Sequence, residues 1–89
     1  MGSARILSSL LEKRGLARAL AGDAPGARPD LEEVLRLDAT SASARVNLAV
    51  VLAQVGETDR ARSLVQEALG LDPGYEKARA LLAALDRMK

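Results

Sequence analysis

Apolar residues recur along this chain at helical spacing, broken at intervals by glycine, proline or a capping side chain. The clearest stretch is Asn47 to Pro73, NLAVVLAQVGETDRARSLVQEALGLDP. Ala44, Leu48, Val51, Leu52 and Val55 fall at i, i+4, i+7, i+8 and i+11, one apolar stripe of a helix. Ala61, Leu64, Val65, Ala68 and Leu69 form a second stripe of the same kind. Between them, Gly56 can end the first helix and the Thr58 hydroxyl can cap the second. So short a connection makes the helices antiparallel and presses their stripes together.

The flanking pattern predicts three more helices. The first starts near Ser3 or Ala4 and runs to about Ala21, with Ile6, Leu7, Leu10 and Leu11 as an apolar face and Leu16 and Leu20 on later turns. Gly15 inside it costs about 1 kcal/mol relative to alanine, which points to close approach of a neighbouring helix. Asp23 can cap the next helix, with Pro25 in its first turn. An early start there makes Pro29 tolerable and turns Ala27, Leu31, Val34 and Leu35 inward, with Glu32 and Arg36 as an exposed i,i+4 pair. Thr40 or Ser41 caps the third helix, which ends near Val55, and the fourth spans about Asp59 to Gly70. After the turn Asp72-Pro73-Gly74, a fifth runs from about Tyr75 to Arg87, with Ala78, Leu81, Leu82 and Leu85 on one stripe.

The pattern repeats. A shift of 34 residues lays Gly56 on Gly22, Glu57 on Asp23, Ala61 on Ala27, Arg62 on Arg28 and Val65 on Leu31. It also lays Glu67 on Glu33, Leu69 on Leu35 and Leu71-Asp72 on Leu37-Asp38. A period of this length marks a stacked-repeat protein. In the unit 42–75, Leu48-Ala49, Gly56, Ala61, Ala68 and Pro73 stand at the landmark positions of the tetratricopeptide repeat, and the chain resembles that family. The unit 8–41 departs from the pattern: Arg14 replaces the leucine before Gly15, while Asp30 and Ala39 stand where Leu64 and Pro73 stand later. A third unit begins at Glu76 and ends after one helix, with Leu82-Ala83 in the Leu-Gly position.

The expectation is therefore an all-α protein, a right-handed stack of antiparallel helical hairpins with about five helices. Residues 1–7 extend the first helix, with 1–3 read as a cloning remnant, and 76–89 form a C-terminal capping helix. All of it makes one domain. Positions often filled by large aromatics in the family hold Arg45, Leu52, Thr58 and Val65, and Tyr75 is the sole aromatic residue. A core of Ala, Leu and Val has to compensate through close backbone approach.

Composition removes several kinds of chemistry. With no His and no Cys, there is no thiolate zinc site, disulfide framework or imidazole base. The acids sit beside bases, as in Glu12-Lys13, Asp59-Arg60 and Asp86-Arg87, and the serines lack an activating partner. No carboxylates converge by spacing on a metal, so the expectation is no enzyme, no metal and no cofactor. A net charge of +1 argues against strong nucleic-acid attraction. Although Arg5, Lys13, Arg14 and Arg18 make the first helix basic, no aromatic residue is there to stack on bases. No membrane span or signal peptide is evident, which gives a cytoplasmic expectation.

Protein binding remains. In stacked hairpins, the first helix of each unit lines the concave side. On the third helix that side comprises Ser43, Val46, Asn47, Val50, Ala53 and Gln54. Lys13, Leu16 and Leu20 join it from the first helix, Lys77 and Leu81 from the last. Such a groove suits an extended peptide or an amphipathic helix, with Val46, Val50 and Leu16 giving apolar contact and Asn47 meeting a partner's backbone. Family members that grip a chaperone's terminal carboxylate use a Lys, Asn and Arg set here. Asn47 and Lys77 match it, but Glu12, Leu16 and Leu81 do not, so that activity is not carried over. A second reading is self-assembly into a homo-oligomer through apolar Val46, Val50 and Leu81. A third makes the chain a piece of a longer array.

Overall fold

The computed structural model describes residues 2–88, so Met1 of the expected cloning remnant lies outside the described residues. Five helices follow one another: α1 (Gly2–Leu20), α2 (Ala24–Leu37), α3 (Ala42–Gln54), α4 (Thr58–Leu71) and α5 (Glu76–Arg87). Among the described residues there is no strand, and no helix is long and apolar enough to cross a membrane. α1 pairs with α2 and α3 with α4, while α2 packs on α3 and α4 on α5.

Short turns produce the hairpins through the same backbone device twice. Gly22 and Gly56 adopt φ +82 and +85, a region that side chains rarely enter. Each then closes a Schellman motif on the preceding helix. The Asp23 amide donates to the Arg18 carbonyl at 2.8 Å and that of Gly22 to Ala19 at 3.1 Å. Glu57 donates to Leu52 at 2.9 Å and Gly56 to Ala53 at 3.2 Å, the same bonds one period later. The second turns repeat too, with Ser41 donating to Asp38 at 3.2 Å and Tyr75 to Asp72 at 3.1 Å.

Capping fixes where the helices begin. Asp23 accepts from the Gly26 amide at 3.0 Å, so α2 starts early, Pro29 falls inside it, and Ala27 keeps its buried helix contact. Ser41 Oγ accepts from the Ala44 amide at 3.1 Å and caps α3. The expected Thr58 cap is not made. Glu57 takes the N-cap position by backbone alone, because its carboxylate is drawn to Arg28 at 2.8 Å and Arg60 at 3.2 Å. The expected Glu32–Arg36 pair also divides: Arg36 bonds Glu33 at 2.7 Å and Arg28 bonds Glu32 at 3.3 Å.

The core runs through both hairpins. Leu31, Ala44, Ala49, Val51, Leu52, Ala61, Val65, Ala68, Ala78 and Leu85 are buried to 1% exposure or less. Val55 leaves its predicted stripe, since it becomes the C-cap of α3 and is 49% exposed. α1 departs further. It buries Gly15 and Ala19, while Ile6, Leu7 and Leu10 of its predicted apolar face are exposed. At Gly15 the two backbones come so close that an added Cβ would lie 2.8 Å from Leu31 Cγ and 3.3 Å from Asp30 Cβ.

The two charged departures in the first unit meet each other. Arg14 holds Asp30 with two bonds, Nε to Oδ2 at 2.8 Å and Nη2 to Oδ1 at 2.7 Å, and Arg18 adds a third at 3.0 Å. Asp30 is buried, 5% exposed. Hydrogen bonding from Arg14, followed by the charges of both guanidiniums, holds its carboxyl below the usual range against the opposing effect of burial.

Candidate functional site

α1 touches α3 and α3 touches α5, whereas α2 and α4 do not meet. The stack therefore closes toward the first helix of each hairpin, and α1, α3 and α5 form its inner face. Polar side chains bridge these three helices. Glu12 on α1 accepts from Ser43 Oγ at 2.5 Å and from Asn47 Nδ2 at 3.5 Å, both on α3. From α5, Lys77 Nζ donates to Asn47 Oδ1 at 3.0 Å. Farther along, Gln54 Nε2 donates to the Ala19 carbonyl at 3.1 Å.

This network changes the reading of two predicted contact residues. Val46 and Asn47 are 0% and 3% exposed, so neither is an open contact on the surface. Val46 belongs to the core cluster, and the amide of Asn47 is already committed to Glu12 of α1 and Lys77 of α5. Asn47 is a strut between three helices. Of the remaining predicted residues, Leu16, Val50 and Leu81 are half-buried, while Lys13, Leu20, Gln54 and Lys77 are exposed.

The inner face keeps Leu16, Val50 and Leu81 partly exposed. At its α1 end lies a hollow of about 320 Å³ lined by Arg5, Ser8, Ser9, Glu12, Lys13 and Leu16. Near it, burial first, then the carboxylates of Glu12 and Asp72, push the Tyr75 phenol up. Glu12 stands on the inner surface, where the family resemblance sets it, and it bonds α3 rather than serving only as a neighbour of Lys13. What spacing did not show is that its carboxylate reaches across to Ser43 and Asn47 of α3.

The inner face offers apolar contact, exposed cations and amide groups. Among the described residues, no group of three or more Asp or Glu side chains could hold a metal ion. A family model described as tetratricopeptide repeat matches residues 16–85. No curated protein matches the chain.

Proposed function

Because the chain belongs to the tetratricopeptide repeat family, whose members are generally protein–protein interaction modules, we propose that it is a recognition scaffold. It binds a peptide or amphipathic helix of another protein along the inner face. The observation that carries this reading is that Leu16, Val50 and Leu81, one residue from each inner helix, stay partly exposed, with Leu81 also packing against the core. Lys13, Gln54 and Lys77 border them and can hold a partner's backbone or acidic groups. Leu20, 79% exposed, extends the apolar contact at the far end of α1. Glu12 on the floor, its acceptor capacity turned to Ser43 and Asn47, disfavours a carboxylate placed directly over it.

Val50→Glu tests the inner face, since Val50 is half-buried there and its replacement puts a charge among these residues. Partner binding measured by titration calorimetry should fall at least about tenfold, equivalent to roughly 1.4 kcal/mol. Unchanged binding by a well-folded variant would remove the inner face from the proposal.

The second reading, self-assembly, no longer has Val46, and rests on Val50 and Leu81. Sedimentation over a wide dilution range separates the two. A monomer at all concentrations favours partner binding, and a dimer broken by Val50→Glu favours assembly through the inner face.

A further inference from the structure

Among the described residues α1 and α5 do not pack on one another, since α1 meets α2 and α3 while α5 meets α3 and α4. One amide on α3 nevertheless joins them. Asn47 Nδ2 donates to Glu12 Oε2 of α1 at 3.5 Å, and Asn47 Oδ1 accepts from Lys77 Nζ of α5 at 3.0 Å. The repeat itself produces this arrangement. Lys77 stands one period after Ser43, and each reaches back to the first helix of the unit before it. Ser43 Oγ donates to Glu12 at 2.5 Å, as Lys77 does to Asn47. Asn47 is the middle station, giving a proton to one neighbour and accepting one from the other.

The two bonds are not independent. A side-chain amide has donors on one side and an acceptor on the other, and Asn47 has one orientation that serves both neighbours. Turned about, Oδ1 would face the Glu12 carboxylate and Nδ2 the Lys77 ammonium, two repulsive contacts in place of two attractive ones. Asn47 is 3% exposed, so water is poorly placed to stand in for a lost partner. Each charge also draws the amide dipole in the sense that strengthens the bond on the other side. The Glu12 side is the longer bond and depends more on the amide being held in place by Lys77. We infer that Asn47 couples α1 to α5, so that releasing Lys77 loosens the tie to Glu12 and releasing Glu12 loosens the tie to Lys77. The coupling belongs to the free chain and does not rest on partner binding. Its consequence for a partner is that a group taking exposed Lys77 also weakens the far side of the inner face.

The test is a double-mutant cycle in chemical denaturation of the whole chain, with Glu12→Ala and Lys77→Met. Together the two changes should cost less than the sum of each alone, because the second removes a bond that the first has already loosened. The shortfall should be about fivefold in the unfolding constant, equivalent to about 1 kcal/mol. Additive effects overturn the proposal. Direct attraction between the two charges would also couple them, so the cycle is repeated with Asn47→Ala, where the coupling should vanish. Coupling that persists without the amide overturns the proposal as well. Should Asn47→Ala not fold, hydrogen exchange at the Asn47 side chain decides. Lys77→Met removes only the bond to Oδ1, yet it should speed exchange of the Nδ2 protons at least about fivefold. Unchanged exchange would mean two separate bonds and no coupling.

Discussion

Where the second hairpin sets Leu48 on α3 and Leu64 on α4, the first sets Arg14 on α1 and Asp30 on α2. Leu48 is 5% exposed within the apolar cluster and Leu64 packs against that cluster. Arg14 and Asp30 meet at 2.7 and 2.8 Å in a forked ion pair. One step along, Gly15 faces Leu31 in the first hairpin, while Ala49 and Val65 hold the matching places in the second. Both hairpins nevertheless close with the same backbone bonds. The difference teaches that the hairpin geometry constrains pairs of side chains, leaving either member free to change if the other follows. A leucine facing Asp30 would strand a buried charge, and an alanine facing Leu31 would clash. Swapped together, each pair restores the fit.

Proline gives the hardest test of that equivalence. Pro29 lies inside α2, and exposed Ser63 lies at the matching place in α4. Pro29 has no N–H to donate, whereas Ser63 keeps its amide inside α4, so Ser63→Pro should cost about 3 kcal/mol. Thermal unfolding followed by circular dichroism should then show a drop of at least about 10 °C. A negligible drop would mean that this turn of the second helix is loose enough to accept proline in both hairpins.

Breaking the ion pair comes next in size. Asp30→Ala removes three charged hydrogen bonds and leaves Arg14 and Arg18 partly exposed to water, which softens the loss. The expected cost is about 2 kcal/mol in chemical denaturation. The matching change in the second hairpin, Leu64→Ala, deletes apolar contact and no charge. A loss from Asp30→Ala below that of an exposed pair, about 0.5 kcal/mol, would show that the fork contributes little.

The Gly15 contact should give a smaller effect with a sharper signature. Gly15→Ala puts Cβ within 2.8 Å of Leu31 Cγ, and the gain in helix propensity offsets part of the strain. A net loss of about 1 kcal/mol is expected. Adding Leu31→Val recreates the Ala49–Val65 pairing, and should recover most of it. A double-mutant cycle with no coupling between the two positions would mean that the methyl group is not shared between the helices in this way.

Much of the architecture was legible from the chain. The 34-residue offset from Gly22 to Gly56 marked both left-handed turns, and Asp23 and Ser41 announced the starts of α2 and α3. The ion pair was not legible, although both its members stood out as departures from the repeat. Arg14 and Asp30 lie 16 residues apart on different helices, and helical spacing within either one does not link them. The inner face failed for a related reason. Helical spacing puts Val46 and Asn47 on the same side as Val50, but it says nothing of how closely α1 and α5 flank α3. Only the packed helices reveal that Asn47 is enclosed by Glu12 and Lys77. The Ile6–Leu10 stripe was visible as apolar, and spacing alone could not tell a buried stripe from an open one.

The smallest effect at neutral pH is also the one that isolates the comparison best. Arg14→Leu with Asp30→Leu gives the first hairpin the apolar pairing of the second. Replacing a buried ion pair with apolar side chains is often neutral or stabilising, and a change within about 1 kcal/mol is expected. Acid should separate the two proteins. The Asp30 carboxyl in the folded chain is held below its ordinary value of 3.8. Its stabilisation is therefore fully present above that value and is lost as the pH falls through the lower folded one. Glu33, Asp38 and Glu57 are held low as well, by Arg36, Thr40 and Arg28 respectively, but they are common to both proteins and cancel in the difference. Denaturation curves from neutral pH downward should thus show the natural chain losing stability faster than the double variant. Parallel acid curves would mean that Asp30 is not preferentially ionised in the folded state, and that the two hairpins differ in shape more than in charge.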